Sequence, residues 1–237
     1  MKQIEIVVHC YAVKSNWYAS LLHYQLGSLV SNPGSNHHAT VAVCYDRTDE
    51  AVCAVLKCFS NSQVIKLKYI EMDKERLGRR AIGRNLAAKA TKADIVWFAD
   101  ADYLFGEDCL STLANWRWPD DASLAFPKHV NLQLKESIDV SDLECVNDYS
   151  APKQWIFSRH TFVRPIGGIQ IVKGDFAREY GYCANHPIFQ SPHPDPFKLF
   201  RSPCDKEFRR GCKRHGKQAG VDLPNLYRLG HPRRDGR

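Results

Sequence analysis

The amino-acid sequence predicts an α/β fold in which a mostly parallel central sheet is flanked by helices. In the first hundred residues, short runs of β-branched apolar residues alternate with segments whose apolar residues recur every three to four positions. The run DIVWFA at 94–99 shows no polar alternation, as expected for a strand buried on both faces of a parallel sheet. Strands that alternate with helices in this way form parallel sheets with right-handed crossovers.

The elements of the first half follow from these patterns in chain order. Apolar, β-branched runs predict strands at 4–8, 40–44, 63–70 and 94–99. Three helices are predicted between these strands. The first has apolar residues at helical spacing and ends at Asn32-Pro33-Gly34; these residues are Trp17, Leu21, Leu22, Leu26 and Leu29. The second is the run 49–59, which has acidic residues in its first turn, and the third is marked by Ile82, Leu86 and Ala90.

The second half is less regular and rich in proline, so it predicts fewer elements. A strand is expected at 169–172 and helices near 175–181 and 205–214. No repeat or linker divides the chain, and we expect a single domain over 1–237.

Composition excludes several classes of protein. The chain has 237 residues, of which 44% are hydrophobic and 25% are charged, as in an average globular protein. No apolar run approaches the ~20 residues of a transmembrane helix, and the first run is too short for a secretory signal. The nine cysteines are odd in number and form no CxxC pair, which favours reduced thiols. We therefore expect a cytoplasmic protein without a transmembrane segment.

The positive charge is concentrated at the C-terminal end. The last 37 residues contain 11 Lys and Arg against four Asp and Glu, which accounts for the whole net charge of +7. A basic segment of this kind suits a phosphate-bearing ligand, an acidic surface or nucleic acid, and a solvated tail is the alternative.

The sharpest chemical feature is Asp100-Ala101-Asp102, directly after the strand at 94–99. Residues i and i+2 of an extended segment project to the same side, so the two carboxylates are presented together. The carboxyl ends of parallel strands are where such sheets bind ligands. Mg²⁺ and Mn²⁺ take oxygen ligands of this kind and leave coordination positions open for phosphate oxygens. An acidic loop cap is the alternative.

This part of the chain resembles a known family. The segments 78–87 (GRRAIGRNLA) and 94–102 (DIVWFADAD) look like the central signature of GT-A glycosyltransferases, particularly glycosyltransferase family 2. In that family a glycine and an Arg-Asn pair open a helix, and a hydrophobic strand delivers a DxD motif. The resemblance covers 4–110 closely and 165–235 loosely. It implies a single GT-A (Rossmann-like) domain, with 1–110 as the nucleotide-binding half that ends in the DxD motif and 111–237 as the acceptor-binding half with a closing C-terminal segment.

The resemblance also implies a set of donor-binding residues. Cys10, Tyr11 and Ala12 would line the nucleobase pocket, and Asp46 would bond to the base, most simply uracil. Arg84 would brace this pocket or the pyrophosphate. Asp100 would reach the ribose or the metal, and Asp102 would ligate Mn²⁺ or Mg²⁺ directly. Three further positions of the family pattern, Gly78, Ala101 and Gly168, are counted with the nucleotide-sugar site. Arg79, Arg80 and Arg84, close together on the helix before the motif, would help the cation to neutralise the diphosphate, and a solvated helix face is the alternative. The loop at 165–169 resembles the glycine loop that approaches the donor sugar and the acceptor, and a plain tight turn is the alternative.

The catalytic residue that the resemblance implies is Asp205. The family has a Glu-Asp pair opening a helix here, whereas this chain has Cys204-Asp205, so the second acid is present and the first is not. An inverting transferase needs a carboxylate to accept the proton of the attacking hydroxyl. Helix N-capping is the alternative role for Asp205, and Glu207 is the alternative base. His231 is placed like the C-terminal histidine that ligates the metal in many GT-A enzymes, and Arg233 and Arg234 would close over the pyrophosphate.

The expected function is transfer of a sugar from a UDP-sugar to an acceptor hydroxyl of unknown identity. A nucleotidyltransferase is a second possibility, although such a fold requires a glycine-rich basic loop after the first strand, and HCYAVKSN has no glycine. No GxxxxGK[ST] motif is present for a P-loop NTPase. A nucleic-acid-binding module needs aromatic residues among the basic ones, and 201–237 has only Phe208 and Tyr227. A non-catalytic nucleotide-sugar binder stays open because of Cys204.

Overall fold

The computed structural model describes residues 1–10, 17–134, 155–192 and 203–230. The N-terminal half alternates strands and helices, as its apolar patterns predict. Its elements are β1 (Lys2–His9), α1 (Trp17–Ser31), β2 (His37–Tyr45), α2 (Glu50–Phe59), β3 (Ile65–Glu71), α3 (Lys74–Leu77), α4 (Arg80–Ala90) and β4 (Ile95–Ala99). The carboxylate of Asp49 caps α2 by accepting from the Val52 amide at 3.2 Å.

The later elements are shorter. They are β5 (Tyr103–Phe105), α5 (Cys109–Asn115), β6 (Ala122–Pro127), β7 (His129–Gln133), β8 (Phe157–Thr161), β9 (Ile169–Lys173), α6 (Gly174–Tyr180), α7 (Pro187–Gln190), α8 (Cys204–Lys213), β10 (Lys217–Val221) and β11 (Leu226–Arg228). Of these, the sequence patterns predicted β9, α6 and α8 and did not predict the other strands.

The described strands form a seven-stranded sheet in the order β10-β6-β9-β4-β1-β2-β3. Adjacent strands of this sheet are parallel, except that β9 runs antiparallel to both β4 and β6. The predicted mostly parallel sheet flanked by helices is therefore confirmed. Strand β1 lies between β2 and β4, so the strand order reverses at β1. In sheets of this kind, ligands bind at such a reversal, in the crevice at the carboxyl ends of the strands. The Asp100-Ala101-Asp102 segment follows β4 at this crevice.

A second sheet of the described chain has the order β5-β11-β7-β8. Strand β11, near the C-terminal end, pairs antiparallel with β5 directly after the Asp102 position. The amide of Leu229 also donates to the carbonyl oxygen of Asp102 at 2.8 Å. Residues 226–230 are thereby fastened to the loop that follows β4.

The core occupies both faces of the large sheet. On β1, Ile4, Ile6 and Val8 pack on the side of α1, α2 and α5, whereas Val7 packs on the side of α4, α6 and α8. Every second residue of a strand faces the same side, and both sides are covered by helices. The apolar strands without alternation follow from this burial. Leu86, which helped to predict α4, is on its outer face and is 41% exposed.

Two further findings, on membrane-spanning helices and on disulfides, concern the described residues only. None of the helices in the described segments is long and apolar enough to cross a bilayer. The eight cysteines in these segments form no disulfide, and Cys145 lies outside them.

Candidate active site

Two arginines of α4 connect acids from the two halves of the chain. Arg80 and Arg84 are one helical turn apart, so both side chains project from the same face toward the end of β4. Asp100 Oδ1 accepts from Arg80 Nη1 at 2.8 Å and from Arg84 Nη2 at 3.1 Å. Asp205 accepts from Arg80 Nη2 at 3.0 Å and from Arg84 Nη1 at 2.8 Å. Each guanidinium therefore bridges the same two carboxylates.

Asp205 is held by a third donor as well. The Tyr182 hydroxyl lies 2.7 Å from Asp205 Oδ1, the oxygen that also accepts from Arg84, whereas Oδ2 accepts from Arg80. Burial raises the pKa of Asp205, but Arg80, Arg84 and the Tyr182 hydrogen bond together hold this pKa below its usual value. The carboxylate is therefore ionised at neutral pH.

The N-cap alternative for Asp205 is wrong. Helix α8 begins at Cys204, its N-cap position is Pro203, and no side chain caps it. Asp205 is thus inside the first turn, and its carboxylate turns toward the arginines of α4 rather than toward the amides of its own helix. Glu207 pairs with Arg210 on the outer side of α8.

Asp102 has a separate arginine partner from the C-terminal strand. Its Oδ2 accepts from Arg228 Nε at 2.8 Å, and Asp102 is only 4% exposed. The Arg228 guanidinium also lies over the Tyr103 ring, 5.3 Å from its centroid. Burial, followed by Asp102 and Asp100, raises the pKa of Tyr18 on α1, because both carboxylates lie near its hydroxyl.

The glycine pair before β9 lets backbone pass against these acids. A Cβ atom on Gly167 would lie 2.5 Å from Asp205 Oδ2, and one on Gly168 would lie 2.9 Å from Asp100 Oδ2. Only a residue without a side chain allows such an approach. The glycine loop is therefore packed on both carboxylates.

His9 lies beneath α4 at the end of β1. A Cβ atom on Gly83 would lie 2.6 Å from the His9 ring, so the helix approaches the strand closely at this glycine. Neither ring nitrogen of this buried histidine has a hydrogen-bond partner in the described part of the chain. Burial first, then Arg84 and Arg80, lowers its pKa well below 6.5, so the ring is neutral.

The structure also describes four other residues that were predicted for the nucleotide-sugar site: Cys10, Asp46, Gly78 and Ala101. Cys10 is fully buried: its thiol donates to the Tyr18 carbonyl at 3.2 Å, and its amide donates to the Cys44 carbonyl at 3.0 Å. Asp46 Oδ1 accepts from the amide and hydroxyl of Thr48, both at 2.8 Å. Gly78 ends α3, and Ala101 is buried between the two acids of the motif.

Several predicted residues lie outside the described residues. These are Tyr11 and Ala12 of the predicted nucleobase pocket, His231 of the predicted metal site, and Arg233 and Arg234. Their roles stay predictions.

Three site residues received no role from the sequence: Tyr182, Gln170 and Arg228. Arg80 was identified together with Arg79 and Arg84, because these arginines lie within about one turn of a helix. No sequence pattern could identify the other three, since their contacts with Asp205 and Asp102 are made between segments distant in the chain.

The donor set at this site fits a divalent cation that shares its coordination with a ligand. No group of three or more His, Cys, Asp or Glu in the described segments could hold a metal ion alone. Asp100 and Asp102 offer two carboxylates, and Mg²⁺ in nucleotide sites is typically held by one or two carboxylates together with phosphate oxygens. Such a cation competes with Arg228 for Asp102 and with Arg80 and Arg84 for Asp100.

Comparisons with known proteins concern the fold and the family of the chain. Residues 26–137, just under half of the chain, match the family model of glycosyl transferase family 2. A search among curated proteins gives no match. The crystal structure of TarS 1–349 from S. aureus has a TM-score of 0.58 at 16% identity, covering 97% of this chain and 60% of that chain. Its complex with UDP-GlcNAc has a TM-score of 0.58 at 15% identity, with 98% and 59% covered.

A further solved structure, the glycosyltransferase GlyE of Streptococcus pneumoniae, has a TM-score of 0.55 at 11% identity, covering 93% of this chain and 46% of that one. The present chain therefore spans about 60% of TarS 1–349 and less of GlyE. Identities this low establish the fold, and the family match adds support for glycosyl transfer as the class of reaction. The chain thus has the GT-A fold, and its residues 26–137 carry the glycosyl transferase family 2 pattern, as the sequence resemblance implied.

Proposed function

We propose that the protein transfers a sugar from a UDP-sugar to an acceptor hydroxyl, with inversion at the anomeric carbon and with a divalent cation. The observation that carries this proposal is the double bridge of Arg80 and Arg84 between Asp100 and Asp205. It brings Asp100, the acid expected at the ribose or the metal of the donor, next to Asp205, the acid expected at the acceptor. The division into a donor half, 1–110, and an acceptor half, 111–237, is part of the proposal.

On the donor side, Asp102 and Asp100 would hold Mn²⁺ or Mg²⁺, with His231 as a further ligand. The cation would neutralise charge on the departing diphosphate. The side chains of Arg228 and Arg80 are 33% and 28% exposed, so both guanidinium groups can also face a diphosphate while they contact their acids. The TarS structure that contains UDP-GlcNAc supports a uracil nucleotide, and Asp46 would bond to its base.

On the acceptor side, Asp205 would act as the base. Its Oδ2 accepts from Arg80, and it is the oxygen beside Gly167. The acceptor oxygen forms a bond to the anomeric carbon while the bond from this carbon to the UDP oxygen breaks, and the hydroxyl proton passes to Asp205. One displacement of this kind inverts the anomeric configuration. The ionised state of Asp205 at neutral pH suits this role.

The first experiment measures thermal unfolding with UDP, GDP and CDP, each with and without Mn²⁺. A ligand present at about 100 times its dissociation constant adds about 2.7 kcal/mol of stability, and we expect the largest rise in Tm with UDP and Mn²⁺. Asp102→Asn should remove the metal-dependent part of the rise. Asp121→Asn is the matched control, because that acid pairs with Lys217 at the surface. Equal behaviour of both variants would reject Asp102 as a metal ligand.

The second experiment follows UDP release from a panel of UDP-sugars with water as the acceptor. Release of UDP with an inverted sugar product supports the proposal. Nucleotide binding without release from any donor would indicate a non-catalytic binder, and release of UMP or pyrophosphate would indicate nucleotidyl transfer. Binding of none of the three nucleotides would reject the nucleotide-sugar function itself.

A further inference from the structure

We propose that Tyr182 is a positioning residue that sets the orientation of the Asp205 carboxylate; this inference rests on the proposed role of Asp205 as the base. Tyr182 is completely buried. Its hydroxyl lies 2.7 Å from Asp205 Oδ1, 3.0 Å from Arg84 Nη1 and 3.0 Å from Gln170 Oε1. This hydroxyl therefore joins the acid, its main buried cation and a residue of β9.

The direction of these hydrogen bonds follows from the donors present. Arg84 can only donate, so the Tyr182 oxygen accepts from it. The hydroxyl has one hydrogen, and the nearer and charged acceptor is Asp205, because bonds to ionised acceptors are the stronger ones. Gln170 is fixed by its own amide, which donates to the Asp205 backbone carbonyl at 2.8 Å. The Oδ1 oxygen is thus committed to Arg84 and Tyr182, which leaves Oδ2 as the oxygen that faces the glycine loop.

The backbone of Tyr182 is held by α4 and α7. Asn85, the neighbour of Arg84 on α4, accepts from the Tyr182 amide at 3.0 Å through Oδ1 and donates to Gln190 at 3.2 Å. Gln190 in turn donates to the Tyr182 carbonyl at 3.0 Å. Gly181 has a φ of +66°, and a Cβ atom on it would lie 2.3 Å from Asn85 Oδ1, so this contact requires glycine. The same turn of α4 therefore holds Asp205 through Arg84 and Tyr182 through Asn85.

The ring of Tyr182 is held as firmly as its backbone. It stacks on Phe208 of α8 at a centroid distance of 4.1 Å and meets Phe98 of β4 edge to face at 4.7 Å. Phe208 is on the same helix as Asp205, so the ring and the hydroxyl both contact α8. A phenylalanine at 182 would keep these ring contacts and remove only the hydroxyl, which makes Tyr182→Phe a clean test.

The test compares Tyr182→Phe with Tyr180→Phe in the UDP-sugar assay with water as the acceptor. Tyr180 is on the neighbouring helix α6 and packs on His215, away from Asp205. A hydrogen bond to a charged group contributes about 1.5–3 kcal/mol, so we expect kcat to fall about 10–100-fold in Tyr182→Phe. The KM for the donor should change less than about twofold, because the donor contacts of the first half are untouched. Tyr180→Phe should keep the wild-type kcat.

A second readout does not depend on turnover. Unfolding equilibria are measured for Tyr182→Phe, Asp205→Asn and the double variant. If the hydroxyl orients the charged carboxylate, the effect of Tyr182→Phe on the unfolding constant is at least about threefold smaller in the Asp205→Asn background. Independent effects of the two substitutions would overturn the positioning role. So would an unchanged kcat in folded Tyr182→Phe.

The two readouts separate this inference from the proposed function. Should Asp205→Asn keep full turnover, the base assignment fails, while coupled stability effects would still show that Tyr182 orients Asp205. Should Asp205→Asn be inactive and Tyr182→Phe be fully active, the base assignment stands and the role of Tyr182 is wrong.

Discussion

Arg84 Nη1 donates to Asp205 Oδ1 over 2.8 Å, although the two residues lie 121 positions apart in the chain. The Arg84 side chain is fully buried, and its other amino group reaches Asp100 at 3.1 Å. A buried guanidinium requires anionic partners, because an unpaired buried charge is strongly unfavourable. Folding of α8 onto α4 therefore completes the site and stabilises the protein through the same contact.

Removal of Arg84 should cost more stability than removal of Arg80. Arg84→Gln leaves Asp205 short of its buried partner, and breaking a buried ion pair costs about 3–5 kcal/mol. Arg80→Gln should cost less than half as much, since the Arg80 side chain is 28% exposed and solvent compensates part of the lost charge. Urea unfolding of both variants measures the difference. Equal losses of stability in the two variants would show that the burial of Arg84 does not decide how much it contributes to stability.

Asp205→Asn should lower both turnover and stability. If Asp205 is the base, the substitution should lower the rate by a factor of about 10²–10⁴, the usual contribution of general acid–base catalysis. Stability should also fall, because the amide leaves Arg80 and Arg84 with less negative charge. Glu207→Gln is the control, since this acid pairs with Arg210 at the surface. UDP release at the wild-type rate from Asp205→Asn would transfer the role of base to another residue.

Alanine at either glycine of the loop should impair the site. In Gly167→Ala the new methyl group meets Asp205, and in Gly168→Ala it meets Asp100 and Tyr103. We expect a loss of turnover of at least about tenfold from each, as misplacement by about 1 Å can cost 10²-fold. Gly27→Ala is the control, because nothing lies within 4 Å of a Cβ atom there and α1 should gain about 0.5–1 kcal/mol. Active Gly167→Ala and Gly168→Ala enzymes would show that the loop does not position the acids.

Stability should decrease on acidification below about pH 6.5, with His9 as one cause. The native ring stays neutral because its pKa is lowered by burial and by the two nearby arginines, whereas the unfolded chain takes up a proton there. The unfolded state then binds more protons, so stability falls as the pH drops through this range. His9→Gln should reduce the pH dependence of stability only in part, because His23, whose pKa is lowered by burial to about 4, contributes as well.

Removal of residues 231–237 tests His231, Arg233 and Arg234 without disturbing the second sheet. If these residues contact the metal and the pyrophosphate, the rise in Tm with UDP and Mn²⁺ should shrink while the unliganded Tm stays the same. Removal of 226–237 would also delete β11 and Arg228, and should lower the unliganded Tm. An unchanged ligand effect in the shorter truncation would exclude all three residues.

The sequence determined the first half of the fold because most residues of β1, β2 and β4 are buried, on both faces of the sheet. Apolar runs such as 94–99 need no alternation when helices cover both sides of a sheet, and the helices between them show their own period. Strands β5 and β11 have three residues each, and β8 is mostly exposed, so neither length nor burial produced a pattern that could predict them. Their pairing is a property of the folded chain.

The acids of the site could also be chosen from the sequence: Asp100 and Asp102 by their position after a buried strand, and Asp205 by the resemblance to glycosyltransferase family 2. Their partners could not. Arg228 reaches Asp102 across 126 positions, and Arg84 and Tyr182 reach Asp205 across 121 and 23. Sequence patterns report local periods of two and of three to four residues. Ion pairs between distant segments depend on which helix packs against which strand end, and only the tertiary structure decides this.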